Sequence, residues 1–300
     1  ISCALQYWFK IYGPFSLLNG LIIWYNKPII NIDQGVAGLF SNQNYTGLWL
    51  SVLWPFSVYF ILKSKKYKLR KISSVIFLIA TLFFIFLTTS RSAILGVLIS
   101  IPIIFSLKIL IKILFILLLI YLLIIFLPLD IFGENNLFQN KTLKIISSKF
   151  KVVDLNNLSS ITRIKIWENT INLIARRPIL GYGAGLFPFI YAYMNEEYMA
   201  QHTHNIILQI AFEYGYPIAF LLTFFAFSLI FKSWKKIFYK NTNPAQINLI
   251  DKCWYASCII ALIGQLSDVT YFEGKISIII WILLAGMKCI IEDSSNDFAK

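Results

Sequence analysis

Charged side chains are scarce in this 300-residue sequence. Asp, Glu, Lys and Arg make up 14% of it, while hydrophobic residues make up 58% and the mean hydropathy is +0.71. Soluble domains carry about 25% charged residues. Apolar runs of about 20 residues recur, which is the length that crosses the hydrocarbon of a bilayer as a helix. A soluble fold is therefore excluded, and the sequence predicts an integral membrane protein whose helices satisfy their own backbone groups.

Acidic residues are the scarcer charged class, with 14 against 27 Lys and Arg, which gives a net charge of +13. Such a charge can indicate a nucleic-acid partner, but these cations crowd short connections rather than one soluble face. The positive-inside rule places those connections in the cytoplasm. They contain Lys63, Lys65, Lys66, Lys68, Arg70 and Lys71, then Lys108 and Lys112, then Lys232, Lys235, Lys236 and Lys240. We therefore expect membrane lipid, and no nucleic acid, as a partner.

The apolar runs predict an all-α polytopic bundle of about eight spans. They cover residues 4–25, 46–62, 72–89, 92–107, 109–128, 205–231, 253–271 and 276–291. Residues 1–128 and 205–300 are then transmembrane parts with cytoplasmic termini, and 129–204 is a large periplasmic loop. Lys10 weakens the first span, and the chain starts at Ile1 without a charged leader. We therefore expect further spans upstream of this sequence.

Cysteine is rare, and the loop 129–204 contains none. No disulfide can hold that loop, so packing on the bundle or a ligand must order it. Within it, Ile164, Trp167, Ile171 and Ile174 recur at helical spacing over residues 161–177. This pattern predicts an amphipathic helix that lies on the membrane surface or against the bundle.

Histidine is rarer still, and both copies lie in His202-Thr203-His204-Asn205, just before an apolar run. Two histidines at i and i+2, with no third histidine and no acid at a matching spacing, make a poor metal site. We expect no metal and no cofactor. A neutral imidazole there can accept a proton from a hydroxyl nucleophile, and Asn205 can orient it or a substrate. The alternative is a histidine that only anchors a helix end.

Two arginines share the predicted outer side. Arg91 lies between small hydroxylated residues at the corner between two spans, and no acid is near it in sequence. An arginine in such a place suits bidentate phosphate binding, although an interfacial arginine can also simply snorkel. Arg163 lies in the first turn of the predicted loop helix, where the dipole disfavours a cation. A solvated surface charge explains Arg163 equally well.

These segments, taken in order, resemble the O-antigen ligase and O-antigen polymerase superfamily of bacterial membrane glycosyltransferases. The resemblance covers roughly residues 35–225. It rests on Gly38-Leu-Phe-Ser-Asn-Gln-Asn44, Thr89-Ser-Arg91-Ser-Ala93, Arg163-x3-Trp167, Arg177-Pro-Ile-Leu-Gly181-Tyr-Gly183-Ala-Gly185-Leu-Phe187, His202-Thr-His204-Asn205 and Glu213-Tyr-Gly215.

The resemblance implies transfer of a glycan from an undecaprenyl-diphosphate carrier to a hydroxyl acceptor, either lipid A core or a growing glycan, at the periplasmic face of the inner membrane. By resemblance, Arg91 and Arg163 bind the diphosphate and His204 activates the acceptor. Asn44, Trp167, Asn205 and Gly183 are then candidate substrate-binding residues. The patterns lean slightly to ligase over polymerase. A lipid-linked glycan flippase is a different class of alternative, but the nearly charge-free spans disfavour a transporter.

Overall fold

The chain is mainly α-helical in the computed structural model. The structure describes residues 1–9, 15–17, 22–24, 35–63, 68–126, 159–194, 200–240 and 248–292. Its helices are α1 (Ser2–Tyr7), α2 (Gln43–Lys63), α3 (Lys68–Leu87), α4 (Arg91–Ile104), α5 (Leu107–Phe126), α6 (Ser159–Arg176), α7 (Phe187–Met194), α8 (Ile206–Trp234), α9 (Leu249–Ser267) and α10 (Gly274–Glu292). A π-helical turn, Lys235–Lys240, continues α8.

The predicted polytopic helical class is confirmed. Five helices in the described part of the chain are long and apolar enough to cross a membrane: α2, α3, α8 with its π-helical turn, α9 and α10. Helix α4 is a shorter apolar helix of 14 residues, and α5 has 20 residues without a charge after Lys112. Residues 129–158, the first part of the predicted loop, lie outside the described residues.

The first predicted span, residues 4–25, is wrong. Helix α1 ends at Tyr7, and strand β1 (Phe15–Leu17) pairs antiparallel with β2 (Ile22–Trp24). The sequence carries the reasons. Pro14 lacks the N–H that a continuous helix needs. The dipeptide Asn19-Gly20 favours the tight turn of a hairpin. Hydropathy alone does not register either feature.

Helices α2, α4 and α9 form the centre of the bundle, and a glycine lies at each of their three contacts. Gly47 faces Ser90 and Ala93, Gly96 faces Ile260, and Gly264 faces Leu48. Small residues let helix backbones approach closely where no hydrophobic effect drives helices together. Two hydrogen bonds add to this packing, from Trp54 Nε1 to Ser100 Oγ at 3.0 Å and from Ser257 Oγ to the Val52 carbonyl at 2.8 Å.

The remaining helices surround this centre. Helix α3 packs on α2, α5 on α4, and α10 on α9 and α8, while α6 packs on α8. Asn44 at the start of α2, Ser90 before α4, Asn205 before α8 and Asp268 after α9 all lie at one end of the bundle. We call this the histidine end.

Helix α6 forms where the spacing predicted it, but with a different buried face. Ile166, Leu173 and Ile174 are buried in a small core with Phe187 and Phe212, whereas Ile164 and Ile171 are largely exposed. Trp167 and Ile174 of the predicted stripe do pack in this core, so the buried face is rotated from the predicted one by part of a turn. The cause is tertiary, because α6 packs against α8 and this contact covers Ile166 and Leu173 instead of Ile164 and Ile171.

Candidate functional site

The loop 202–205 ends in a cap of α8. Asn205 is extended, and its Oδ1 accepts hydrogen bonds from the backbone N–H of Ile207 at 2.9 Å and of Leu208 at 3.3 Å. A side-chain oxygen in this position satisfies otherwise unpaired donors of the first turn. The Asn205 amide also donates to the Leu266 carbonyl at 3.4 Å. These bonds fix the position of the loop. They occupy both the oxygen and the nitrogen of the Asn205 side chain.

Asp268 is the partner that the sequence analysis missed. It follows α9, is buried, and accepts a hydrogen bond from Asn44 Nδ2 to Oδ2 at 2.9 Å. Its Oδ1 lies 3.1 Å from His204 Nδ1 and 3.6 Å from His202 Nε2. The predicted span 253–271 had placed this carboxyl inside the membrane, but α9 ends at Ser267. An acid within an otherwise apolar run was the available signal, since such groups are costly there without a partner or a function.

The protonation states follow from these contacts. Burial by itself raises the pKa of the Asp268 carboxyl, but the hydrogen bond from His204, the attraction to a proton on His202 and the hydrogen bond from Asn44 together hold its pKa below the ordinary value. Asp268 is therefore an anion, and His204 Nδ1–H donates to it. The other ring nitrogen, Nε2, then carries a lone pair. The His204 side chain is 28% exposed, so part of the imidazole is open to the outside of the bundle.

His202 is held as a neutral ring. Burial lowers its pKa, and a proton on His204 and the positive charge of Arg163 act in the same direction, against Asp268. Its Nδ1 accepts the backbone N–H of His204 at 3.3 Å, which leaves the hydrogen on Nε2 facing Asp268.

Ligand atoms of His202, His204 and Asp268 all lie within 4.8 Å of one another, a separation compatible with a metal ion. Metal-bound histidines normally donate their other N–H to an acceptor. In His202 the nitrogen away from Asp268, Nδ1, accepts a backbone N–H and has no hydrogen to donate. The donor set therefore fits a hydrogen-bonded proton relay better than a metal centre.

Thr203, between the two histidines, is clamped from two helices. Its backbone N–H donates to Gln209 Oε1 at 3.0 Å, and its carbonyl accepts from Trp167 Nε1 at 2.8 Å. Its side chain donates to the Asn205 carbonyl at 2.7 Å. The predicted substrate-binding Trp167 thus uses its only polar atom on this loop. Clamped in this way, His204 keeps a positive φ of 57°, a conformation that is uncommon for a residue with a side chain.

Helix α8 is kinked, and the glycine-rich segment 181–185 forms hydrogen bonds with the backbone at the kink. Gly215 has a φ of 81°, and Pro217 has no N–H to donate to the Glu213 carbonyl four residues before it. Tyr182 N–H donates instead to the Phe212 carbonyl at 2.8 Å, and Gly183 N–H to the Glu213 carbonyl at 2.9 Å. The backbone of Gly183, a predicted substrate-binding residue, therefore bonds to α8.

The Glu213 carboxylate ties the kink to the histidine loop. Its Oε1 accepts from the Gly185 N–H at 3.1 Å and from Gln209 Nε2 at 2.9 Å. Gln209 also holds Thr203, so one chain of hydrogen bonds runs from the glycine segment to the residue between the histidines. Hydrogen bonds at α8 thus join the glycine segment 181–185 to the segment Glu213-Tyr-Gly215.

The two arginines lie at the same end of the bundle. Arg163 is close enough for its charge to lower the pKa of His202, after the effects of burial and His204. Arg91 is exposed and opens α4, two residues after Thr89, which has a φ of 60°. Ser90 contacts Gly47, one turn along α2 from Asn44. Within the described residues, neither guanidinium forms an ion pair with a carboxylate. The structure therefore brings His204 and Asn44 to Asp268, with Arg163 near His202 and Arg91 at the same end of the bundle.

Comparison with known protein families identifies the family of this chain. Residues 76–224 match a family model described as O-antigen ligase. That range includes Arg91, Arg163, His204 and the α8 kink, while Asn44 and Asp268 lie outside it. No curated protein matches the chain.

Proposed function

The chain belongs to the O-antigen ligase superfamily, and on that premise we propose that it transfers a glycan from an undecaprenyl-diphosphate carrier to a hydroxyl acceptor. It is a multi-pass membrane protein, and glycan transfer of the O-antigen ligase type is its general chemistry. The specific donor, the periplasmic face of the inner membrane as the place of reaction, and independence from metal are parts of the proposal.

The observation that carries the proposal is the pair formed by Asp268 and His204. A buried carboxylate bonded to Nδ1 sets the tautomer of the ring and stabilises the imidazolium that forms when Nε2 takes a proton. In the proposed step the acceptor hydroxyl gives its proton to His204 Nε2, and its oxygen attacks the anomeric carbon of the carried glycan. The bond from that carbon to the diphosphate oxygen breaks, and the carrier leaves with the electron pair.

The arginines match the charge that develops in this step. The departing lipid diphosphate is more anionic than the bound donor, and prearranged cations stabilise that change most in a site with little water. Arg163 lies beside the histidines, and Arg91 lies at the edge of the bundle where a lipid carrier arrives. Their forked donors suit phosphate oxygens. Asn44 is occupied with Asp268, so its proposed part is to position that carboxylate.

The acceptor divides ligase from polymerase, and we favour the ligase reaction. The decisive experiment removes the gene from its host and compares lipopolysaccharide with wild type on a gel. A ligase deletion leaves core without repeats, whereas a polymerase deletion leaves core with one repeat.

Plasmid copies supply the controls for that experiment. The His204→Ala variant should fail to restore the ladder. The Glu292→Gln variant, which changes an exposed residue at the opposite end of the bundle, should restore it fully. An unchanged ladder in the deletion strain would contradict a role in O-antigen assembly.

A further inference from the structure

An apolar groove runs along the surface of the bundle between α3 and α4. These two helices follow each other in the chain, yet both pack on α2 and leave a gap between themselves. Two adjoining cavities of about 420 Å³ and 190 Å³ occupy the gap and share Leu82, Val97 and Leu98 in their walls. All residues that line the groove are hydrophobic or aromatic: Trp54, Val58, Ile61, Leu62, Leu78, Leu82, Ile85, Phe86, Ile94, Val97, Leu98, Ile101, Phe105 and Ile113.

The groove has a buried floor and an open rim. Trp54, Val58, Ile85 and Val97 are buried, whereas rim residues such as Leu82 and Phe105 are about 40% exposed. Along α4 it extends from Ile94 to Phe105, about 16 Å at the rise of an α-helix. That is about half of the 30 Å hydrocarbon thickness of a bilayer. The shape therefore suits a long, flexible apolar chain that enters from the side.

One end of the groove opens beside Arg91. The walls there are Phe86, in the last turn of α3, and Ile94, one turn into α4 from Arg91. A ligand that fills the groove and ends at this mouth places its head group next to an exposed guanidinium. Charge complementarity then selects a lipid with an anionic head group, and a diphosphate suits the forked donors of arginine.

We infer that this groove holds the polyprenyl tail of the glycan donor, with the diphosphate at Arg91. The inference rests on the proposed function, because that function supplies a donor that is a polyprenyl diphosphate. It adds a binding determinant for the tail that lies away from the Asp268–His204 pair. Binding of the tail in the groove fixes the depth of the carrier in the membrane. The diphosphate then lies at the level of the arginines.

The first test compares donors that carry the same glycan on a full-length polyprenyl tail or on a single isoprene unit. The reconstituted protein should show a kcat/KM at least about tenfold higher for the long-tail donor, since burying two methylene groups already gives about that factor. The Leu82→Trp variant, which fills the groove, should lose this preference and keep its activity on the short-tail donor. The matched control is Ile76→Trp, on an exposed position of the opposite face of α3, which should behave as wild type.

The second test measures binding without turnover. A polyprenyl diphosphate with a photoreactive diazirine in its tail should label peptides of α3 and α4 in the wild type and not in Leu82→Trp. Unlabelled polyprenyl diphosphate should compete, and an excess of phosphatidylglycerol should not.

The two tests separate failure of the inference from failure of the proposed function. Transfer without a tail-length preference, or labelling outside α3 and α4, would overturn the groove inference while the function stands. Labelling of α3 and α4 without transfer from either donor would overturn the function while the groove stands. Equal competition by phosphatidylglycerol would identify a general lipid groove and also overturn the inference.

Discussion

Asp268 is the residue on which the site depends. It is buried, and its two oxygens bond to His204 from the loop before α8 and to Asn44 from α2. An acid so placed has one main effect on His204, which is to hold the hydrogen on Nδ1 and leave Nε2 as the base. This makes Asp268 a positioning residue, because it acts on the substrate only through the imidazole.

The first prediction follows from that role. Asp268→Asn should lower kcat by about 100-fold or more, the range that general-base assistance contributes, with a much smaller change in KM for the donor. The loss should come with a changed pH profile, because the amide no longer sets the tautomer or stabilises the imidazolium. Steady-state kinetics across pH would measure both. A variant that loses donor binding and keeps its pH profile would show a merely structural role.

The second prediction concerns the two arginines and the base. Arg91→Ala, Arg163→Ala and His204→Ala should each abolish transfer while membrane insertion stays intact. Arg163→Lys should restore less than full activity, since lysine keeps the charge without the bidentate fork. Transfer assays on membranes with matched protein amounts would measure this. Activity retained in all three alanine variants would contradict the mechanism.

The third prediction concerns pH and stability. The pKa of His202 lies below its ordinary value of 6.5, chiefly because the ring is buried beside His204 and Arg163 and despite the nearby Asp268. Above pH 6.5 neither the folded nor the unfolded state protonates this ring. Below it the unfolded state binds the proton first, so stability should fall as the pH drops through the lowered pKa of the folded state. Thermal unfolding between pH 5 and 7.5 should show this decline in wild type, and His202→Gln should flatten it.

At the scale of elements, α8 has two parts with different surroundings. Its 29 residues span about 43 Å, well beyond the hydrocarbon thickness. Residues 216–234 alone span about 28 Å and expose a row of phenylalanines. The part before Gly215 contributes Ala211 and Phe212 to the core with α6. The kink therefore separates a membrane-spanning part of α8 from a part that carries the histidine loop.

The fourth prediction tests the kink. At Gly215 a Cβ would lie 2.1 Å from the Ile179 carbonyl oxygen, at a φ of 81°. Gly215→Ala should therefore destabilise the protein, by more than the 1–3 kcal/mol that backbone strain alone costs by rough estimate, and should reduce transfer by displacing the loop that follows Pro178. Gly274→Ala is the control, because nothing lies within 4 Å of its Cβ position. Thermal unfolding of both variants would distinguish them, and equal stability would contradict the account of the kink.

At the scale of the whole molecule, the polar groups of the site lie at one end of the bundle, and a cluster of lysines among the described residues lies at the other. Asn44, Arg91, His204 and Asp268 lie at the histidine end, whereas Lys63, Lys108, Lys232 and Lys235 lie at or beyond the opposite helix ends. By the positive-inside rule, we propose that the histidine end faces away from the cytoplasm.

The fifth prediction tests this orientation. In a Cys289→Ser background, which removes the exposed thiol, Ala184→Cys should react with a membrane-impermeant thiol reagent in spheroplasts. Lys235→Cys should react only after lysis. Both positions are exposed on the protein, so access depends on the membrane side. The reverse pattern of labelling would invert the proposed topology.

Much of this organisation was predictable from the sequence, and the exceptions share a cause. Arg91 and His204 stood out because they lie at the predicted outer ends of apolar runs, and Arg163 stood out because the helix dipole disfavours a cation in the first turn. Asp268 did not, because its 64-residue separation from His204 hides a contact that only folding makes. The hydrogen bonds of Asn205 to α8 and to Leu266, and the buried face of α6, also depended on where neighbouring helices lie.

Composition and periodicity by themselves determined the membrane class, the helices, the positions of the basic connections and the family resemblance. Each of these depends on local solvation and on short-range spacing, which a sequence displays directly. Tertiary structure decided the carboxylate beside His204, the clamp on Thr203, the bonding of the glycine segment to α8, and the groove between α3 and α4. Most of those features arise where segments far apart in the chain meet, and the groove arises because two consecutive helices both pack on α2. The free energy of these contacts is set by packing that no local pattern records.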